Sequence, residues 1–158
     1  MSLFSHKKQT CMESEIKEQS KIARIILDSY ITDGKYVNLN TPQNINRIII
    51  VASGSSYNCE RYSAEIFGSV AKIEARAIYS SEFLLEDAIA HDEGILYIFI
   101  TQSGETTDTN SALLKAKEFG VKTLCITNKE NSSIWNESEY KIACHAGEEK
   151  SIAATKSF

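Results

Sequence analysis

Two short segments gather the residues that could hold a ligand. Ser53-Gly54-Ser55-Ser56 follows the β-branched run Arg47-Ile48-Ile49-Ile50-Val51-Ala52, and Thr101-Gln102-Ser103-Gly104-Glu105-Thr106 follows the still more apolar Ile95-Leu96-Tyr97-Ile98-Phe99-Ile100. In each, a glycine lets the backbone approach a bound group closely. The hydroxyls of Ser55, Ser56, Ser103 and Thr106 can donate to phosphate oxygens, and the Gln102 amide can both donate to and accept from sugar hydroxyls. Each segment leads into a helical pattern, and a helix N-terminus offers unpaired N–H groups and partial positive charge, which favour phosphate. Ser and Thr are also common helix caps and turn residues, so one such loop would carry little weight. Two of them, each ending an apolar strand, point to an anion site. Glu105 does not fit a phosphate contact, because its charge would repel the ligand; its side chain is expected to point away and serve the structure.

The elements that must position these loops follow from hydrophobic spacing. Residues 1–12 read as a flexible lead-in and Glu13 to about Tyr30 as one amphipathic helix, stopped at Asp33-Gly34. Strands are expected at 47–52, 73–79, 95–100, 121–127 and 140–144. Helices are expected over Glu60–Val70, near Glu82–Ile89 and over about Asp108–Phe119, with a short turn after Ser132 and the opening of another helix at the end of the chain. Unbroken apolar strands suit a parallel sheet covered on both faces. Alternation of strand and helix then predicts a three-layer α/β/α, doubly wound, flavodoxin-like sheet of about five strands, with ligands bound beyond the strands' carboxyl ends.

Composition removes several classes of function. The 158 residues suit one domain with a core of its own. A net charge of -4 lacks the basic face that nucleic acid or an anionic membrane requires, and no apolar run approaches the length of a membrane span. The four cysteines (Cys11, Cys59, Cys125, Cys144) form no C-x-x-C pair, and His6, His91 and His145 are scattered, so no metal site is expected. Free thiols in a chain without a secretory leader pattern suggest the cytoplasm. Only Gly54 is present where a dinucleotide fold needs G-x-G-x-x-G, and Glu149-Lys150-Ser151 lacks the glycine of a phosphate-binding Gly-Lys-Ser loop. Ser53 and Thr101 stand where a receiver domain would carry acids. A G-x-S-x-G elbow is absent.

Thr101-Gln102-Ser103-Gly104-Glu105-Thr106-Thr107-Asp108-Thr109 resembles the S-Q-S-G-E-T-x-D-T signature of SIS (sugar isomerase) domains, in the form found in the isomerase half of the glucosamine-6-phosphate synthase family. Four more segments agree in order: Glu15-Ile16-Lys17-Glu18-Gln19 with E-I-x-E-Q, Ala52-Ser53-Gly54-Ser55-Ser56-Tyr57 with A-C-G-T-S-Y, Ser81-Glu82-Phe83 with S-E-F, and Ala153-Ala154-Thr155-Lys156-Ser157-Phe158 with A-S-T-K-A-F. The resemblance implies that Ser55, Ser56, Thr101, Gln102, Ser103 and Thr106 contact a sugar phosphate, and that Ile152 and Ala154 line the sugar. Ser55 and Thr101 depart from the family residue but keep a hydroxyl; Ala154 loses one.

By the same resemblance, residues 13–158 are one SIS domain, the first half of a two-domain isomerase module. That family's acid–base residues lie in the second half, so no catalytic residue is expected here. The implied partners are a sugar phosphate of the fructose 6-phosphate or glucosamine 6-phosphate class and a second SIS domain or subunit, as in a homodimer; no cofactor is implied. A deglycase of phosphorylated fructosamines and a non-catalytic phosphosugar sensor are the competing readings.

Overall fold

The computed structural model describes residues 10–157, so most of the expected lead-in lies outside the described residues. The first helix, α1 (Cys11–Tyr30), starts two residues earlier than its hydrophobic spacing suggests, because the Thr10 hydroxyl caps it by accepting from the Glu13 N–H at 3.2 Å. A small antiparallel hairpin follows, β1 (Ile31–Thr32) and β2 (Lys35–Tyr36), turned at Asp33-Gly34. The turn residues were legible there; the strands, two residues each, were not.

The rest alternates as expected: β3 (Arg47–Ala52), α2 (Ser55–Ile66), β4 (Glu74–Tyr79), α3 (Ser80–Leu85), β5 (Ile95–Thr101), α4 (Thr107–Glu118), β6 (Lys122–Thr127), α5 (Ser133–Glu137) and β7 (Tyr140–Ala143). All five long strands are parallel, in the order β4-β3-β5-β6-β7. Numbered within this sheet the order is 2-1-3-4-5, that of flavodoxin-like folds. Alternate residues of each strand feed opposite layers. Ile49, Val51, Tyr97, Phe99 and Cys125 pack with Phe83, Leu113 and Ile134 on one face. Ile48, Ile50, Leu96, Ile98 and Leu124 pack with Ala64 and Phe67 on the other.

Three expectations need correction. The helix expected over Glu60–Val70 begins at Ser55, directly on the hydroxyl-rich loop, and ends at Ile66 in a single π turn, Phe67–Ala71, closed by Lys72 at φ 57°. The piece expected near Glu82–Ile89 lies at Ser80–Leu85 instead; the Lys115 ammonium caps its end by donating to the carbonyls of Phe83, Leu84 and Glu86. Residues 148–157 form neither helix nor strand. Among the described residues no helix is long and apolar enough to cross a membrane. The cysteines are free, with Cys11 exposed and Cys125 buried, and burial pushes the Cys144 thiol up to about 12.

Candidate functional site

The two hydroxyl-rich loops meet. β3 and β5 are neighbours in the sheet, so the segments that leave their carboxyl ends stand side by side at the strand-order reversal. Ser55, Ser56, Gln102, Ser103 and Thr106 line one cavity of about 210 Å³, closed on its third side by Glu149, Ser151, Ile152 and Ala154. Of the eight residues expected to form the site, seven border this cavity. Thr101 does not: it is 3% exposed, and its hydroxyl pairs with that of Thr106 at 2.8 Å. Its role here is to orient Thr106. Ile152 borders the cavity, but the residue is fully exposed at 107%, so it offers the pocket little apolar wall.

The loop geometry suits an anion. Thr106 occupies the N-cap position of α4 but makes no side-chain cap, and Gly54 likewise leaves α2 without one. The hydroxyls are thus not consumed in capping their own helices. Ser103 Oγ accepts from the Glu105 N–H at 3.2 Å, which leaves its own proton to donate. Gly54 adopts φ 59°, and its N–H donates to the Tyr79 hydroxyl at 2.9 Å, fixing the first loop to the end of β4. The second loop is strapped to the end of β6: the Gln102 carbonyl accepts from the Asn128 N–H at 3.1 Å and from the Thr127 hydroxyl at 3.3 Å. Glu105 turns away as expected. Its carboxylate accepts from the Ser133 N–H at 3.1 Å and the Ser133 hydroxyl at 2.6 Å at the start of α5; these bonds hold its carboxyl below the usual range.

Of the third wall, Ile152 and Ala154 were expected from the resemblance, and Glu149 and Ser151 were not. Glu149 Oε1 accepts from the Thr155 N–H at 2.6 Å, the Thr155 hydroxyl at 3.1 Å and the Lys156 N–H at 2.9 Å, and Oε2 accepts from the Ser157 hydroxyl. These bonds close residues 149–157 into a loop. Burial pushes the Glu149 carboxyl up, but the donations from Ser157, Thr155 and Lys156 outweigh it and hold the group below the ordinary value. The E-I-x-E-Q segment of α1 grips the same loop from outside. Glu15, 5% exposed, accepts from the Lys150 N–H at 2.5 Å and the Ser151 N–H at 3.3 Å. Glu18 pairs with the buried Lys156 ammonium at 2.8 Å, and the Gln19 amide donates to the Thr155 carbonyl at 2.8 Å. Positions 15, 18 and 19 share one helix face, which gives that motif a physical purpose. Glu15→Ala is expected to release the wall: hydrogen exchange at the Lys150 and Ser151 amides should accelerate well above that of β5. Unchanged protection would mean that α1 does not hold it.

The fold and cavity therefore define a doubly wound α/β domain with a hydroxyl-lined cavity at its switch point. The SIS domain family model matches residues 43–158, and the chain belongs to that family. Among curated proteins it is similar to the glutamine–fructose-6-phosphate aminotransferases [isomerizing] of Campylobacter jejuni, at 38% identity over 151 residues, and of Listeria monocytogenes, at 34% over 152 residues. Each alignment covers 93% of this chain and 25% of the relative, so the chain spans about a quarter of their length. Among solved structures, the C-terminal domain of glucosamine-fructose-6-phosphate aminotransferase from Francisella tularensis superposes with a TM-score of 0.88 at 31% identity, covering 96% of this chain and 44% of that one. Tagatose-6-phosphate ketose/aldose isomerase from Escherichia coli shares the fold, with a TM-score of 0.70 at 19% identity over 99% of this chain and 46% of that one.

Proposed function

We propose that this chain binds a sugar phosphate, with the phosphate held between the α2 and α4 N-termini by Ser55, Ser56, Ser103 and Thr106, and with the sugar lying along Gln102 and the Ala154 wall. The observation that carries this reading is a cavity bordered by Ser55 and Ser56 of one hydroxyl-rich loop and by Gln102, Ser103 and Thr106 of the other. Oriented amides and hydroxyls can clasp a phosphate dianion without a dedicated cation. The likeness to the aminotransferases supports the finer reading. Residues 13–158 act as the first SIS half of a cytoplasmic, glucosamine-6-phosphate synthase-type isomerase module, which takes fructose 6-phosphate toward glucosamine 6-phosphate.

In that reaction, moving a proton between C1 and C2 needs a general base. Among the cavity residues only Glu149 carries a carboxylate, and both its oxygens are already engaged. The chain therefore supplies the anchor, whose binding energy positions the reacting carbons, and a second SIS domain or a partner subunit supplies acid and base.

Calorimetric titration with fructose 6-phosphate tests this. Binding without turnover is expected of the chain alone. Ser103→Ala combined with Thr106→Ala should weaken binding about 100-fold or more, the worth of two hydrogen bonds to a charged group, while the circular dichroism spectrum is kept. Unchanged affinity would place the phosphate elsewhere, and measurable isomerisation by this chain would overturn the division of labour.

A further inference from the structure

We infer that Glu149 makes the pocket bipolar and selects sugar phosphates whose far end is neutral or cationic, against those that carry a second negative charge. The inference rests on the sugar-phosphate reading above and extends it to the class of sugar admitted. At one side of the cavity stand two helix N-termini without side-chain caps and the hydroxyls of Ser55, Ser56, Ser103 and Thr106. The third wall of the same cavity carries Glu149, half-buried, with its carboxylate fixed by four donors.

The groups around it add negative charge. Glu15 and Glu18 reach the same loop from α1, and among the described residues the only cation buried there is Lys156, already paired with Glu18. Three carboxylates against one ammonium leave a surplus of two negative charges along this wall. Lys150 and Glu148, both exposed, pair with each other and leave that balance unchanged. Glu105, the remaining acid of the second loop, is turned to Ser133 and does not border the cavity.

A phosphate would therefore be drawn to the first side and repelled from the Glu149 wall, which fixes the ligand's direction as well as its charge. The Glu149 oxygens hold donors only on the side of their own loop, so a sugar hydroxyl or an ammonium could add a further donor. A carboxylate or second phosphate could not donate and would meet an unshielded like charge, which costs several-fold to a hundredfold in affinity at contact distances in a partly buried site, about tenfold being the order expected.

The test is calorimetric titration of the whole chain with fructose 6-phosphate, glucosamine 6-phosphate, fructose 1,6-bisphosphate and 6-phosphogluconate, before and after Glu149→Gln. The first two ligands should bind the unsubstituted chain at least about tenfold more tightly than the last two. Glu149→Gln, which keeps an oxygen for the Thr155 and Lys156 amides, should shrink that ratio. If the doubly charged ligands bind as well as fructose 6-phosphate, the inference fails while the sugar-phosphate reading stands. If none of the four binds, that reading fails and takes the inference with it. Discrimination that survives Glu149→Gln intact would also overturn the assignment. Should that variant not fold, the ligand ratio of the unsubstituted chain decides alone.

Discussion

Gly104→Ala is expected to lower the melting temperature by about 5 °C or more and to abolish sugar-phosphate binding. Gly104 sits at φ 71°, where a Cβ is disfavoured. A Cβ there would also lie closer than 3.0 Å to both the Oγ and the Cβ of Ser132, and 3.2 Å from Thr127 Oγ1. Rotating the Ser132 hydroxyl aside cannot relieve the clash, because its Cβ is in the way too. Nor can the loop simply retreat. The Gly104 carbonyl accepts from the Ile134 N–H at 3.2 Å and from the Asn110 amide at 3.2 Å, so a shift would break the join between the loop, α4 and α5. Backbone strain of about 1 kcal/mol and overpacking of about 1–3 kcal/mol give a total of about 2–4 kcal/mol, and each kcal/mol is worth a few degrees in a domain of this size. The decisive comparison is Gly104→Ala in a Ser132→Gly background, where both clashing atoms are gone: about half of the lost stability should return. A melting temperature unmoved by Gly104→Ala alone would mean that the loop does not approach α5 this closely.

The sheet was legible because its strands leave little freedom. Six-residue runs such as Ile95–Ile100 have no polar face to expose, and a strand of that kind must be covered on both sides. The loops at the ends of β3 and β5 were legible because two hydroxyl-rich segments placed at neighbouring parallel strands must converge. What escaped depends on contacts between residues far apart in the chain. Glu149 stands in a failed phosphate-loop pattern, and nothing within a few residues of it says that Thr155, Lys156 and Ser157 fold back to it. Glu15 lies 135 residues from the Lys150 amide it accepts from. Thr101 stands apart from the other expected residues for the opposite reason. It is adjacent in sequence to Gln102 and Ser103, which border the cavity, but alternation along β5 turns its hydroxyl inward to Thr106. The start of α2 was set too late because Ser55–Cys59 carries little apolar spacing; the helix is placed there by the packing of α2 against β3 and β4, and Gly54 supplies the turn into it.

A second large effect concerns Glu60, which faces the core from α2. It is 0% exposed, accepts from the Ile78 N–H at 2.5 Å through Oε1, and has no partner for Oε2 among the described residues. Burial pushes its carboxyl up to about 9, against the pull of the Ile78 and Ala52 amides and with a small push from Glu82. The group is therefore neutral in the folded chain at pH 7 and ionised in the unfolded one, whose carboxyl keeps the ordinary value of 4.5. Between these two values the folded state holds one more proton, so the Glu60 contribution to stability is greatest below 4.5 and falls as the pH rises toward 9. The limiting slope is about 1.4 kcal/mol per pH unit. Glu105, Glu137 and Glu149, whose carboxyls lie below the ordinary value, act the other way and withdraw their support only as the pH falls below 4.5. Denaturant melts between pH 5 and 9 should therefore show a declining stability for the unsubstituted chain. Glu60→Gln, which keeps an acceptor for the Ile78 N–H and cannot ionise, should be nearly flat until the thiols of Cys59, Cys125 and Cys144, also pushed up by burial, begin to act near the alkaline end, and should be the more stable of the two there. Parallel pH profiles for the two chains would mean that Glu60 reaches water in the folded state, and that the base of α2 beneath the Ser53–Ser56 loop is less tightly closed than its burial requires.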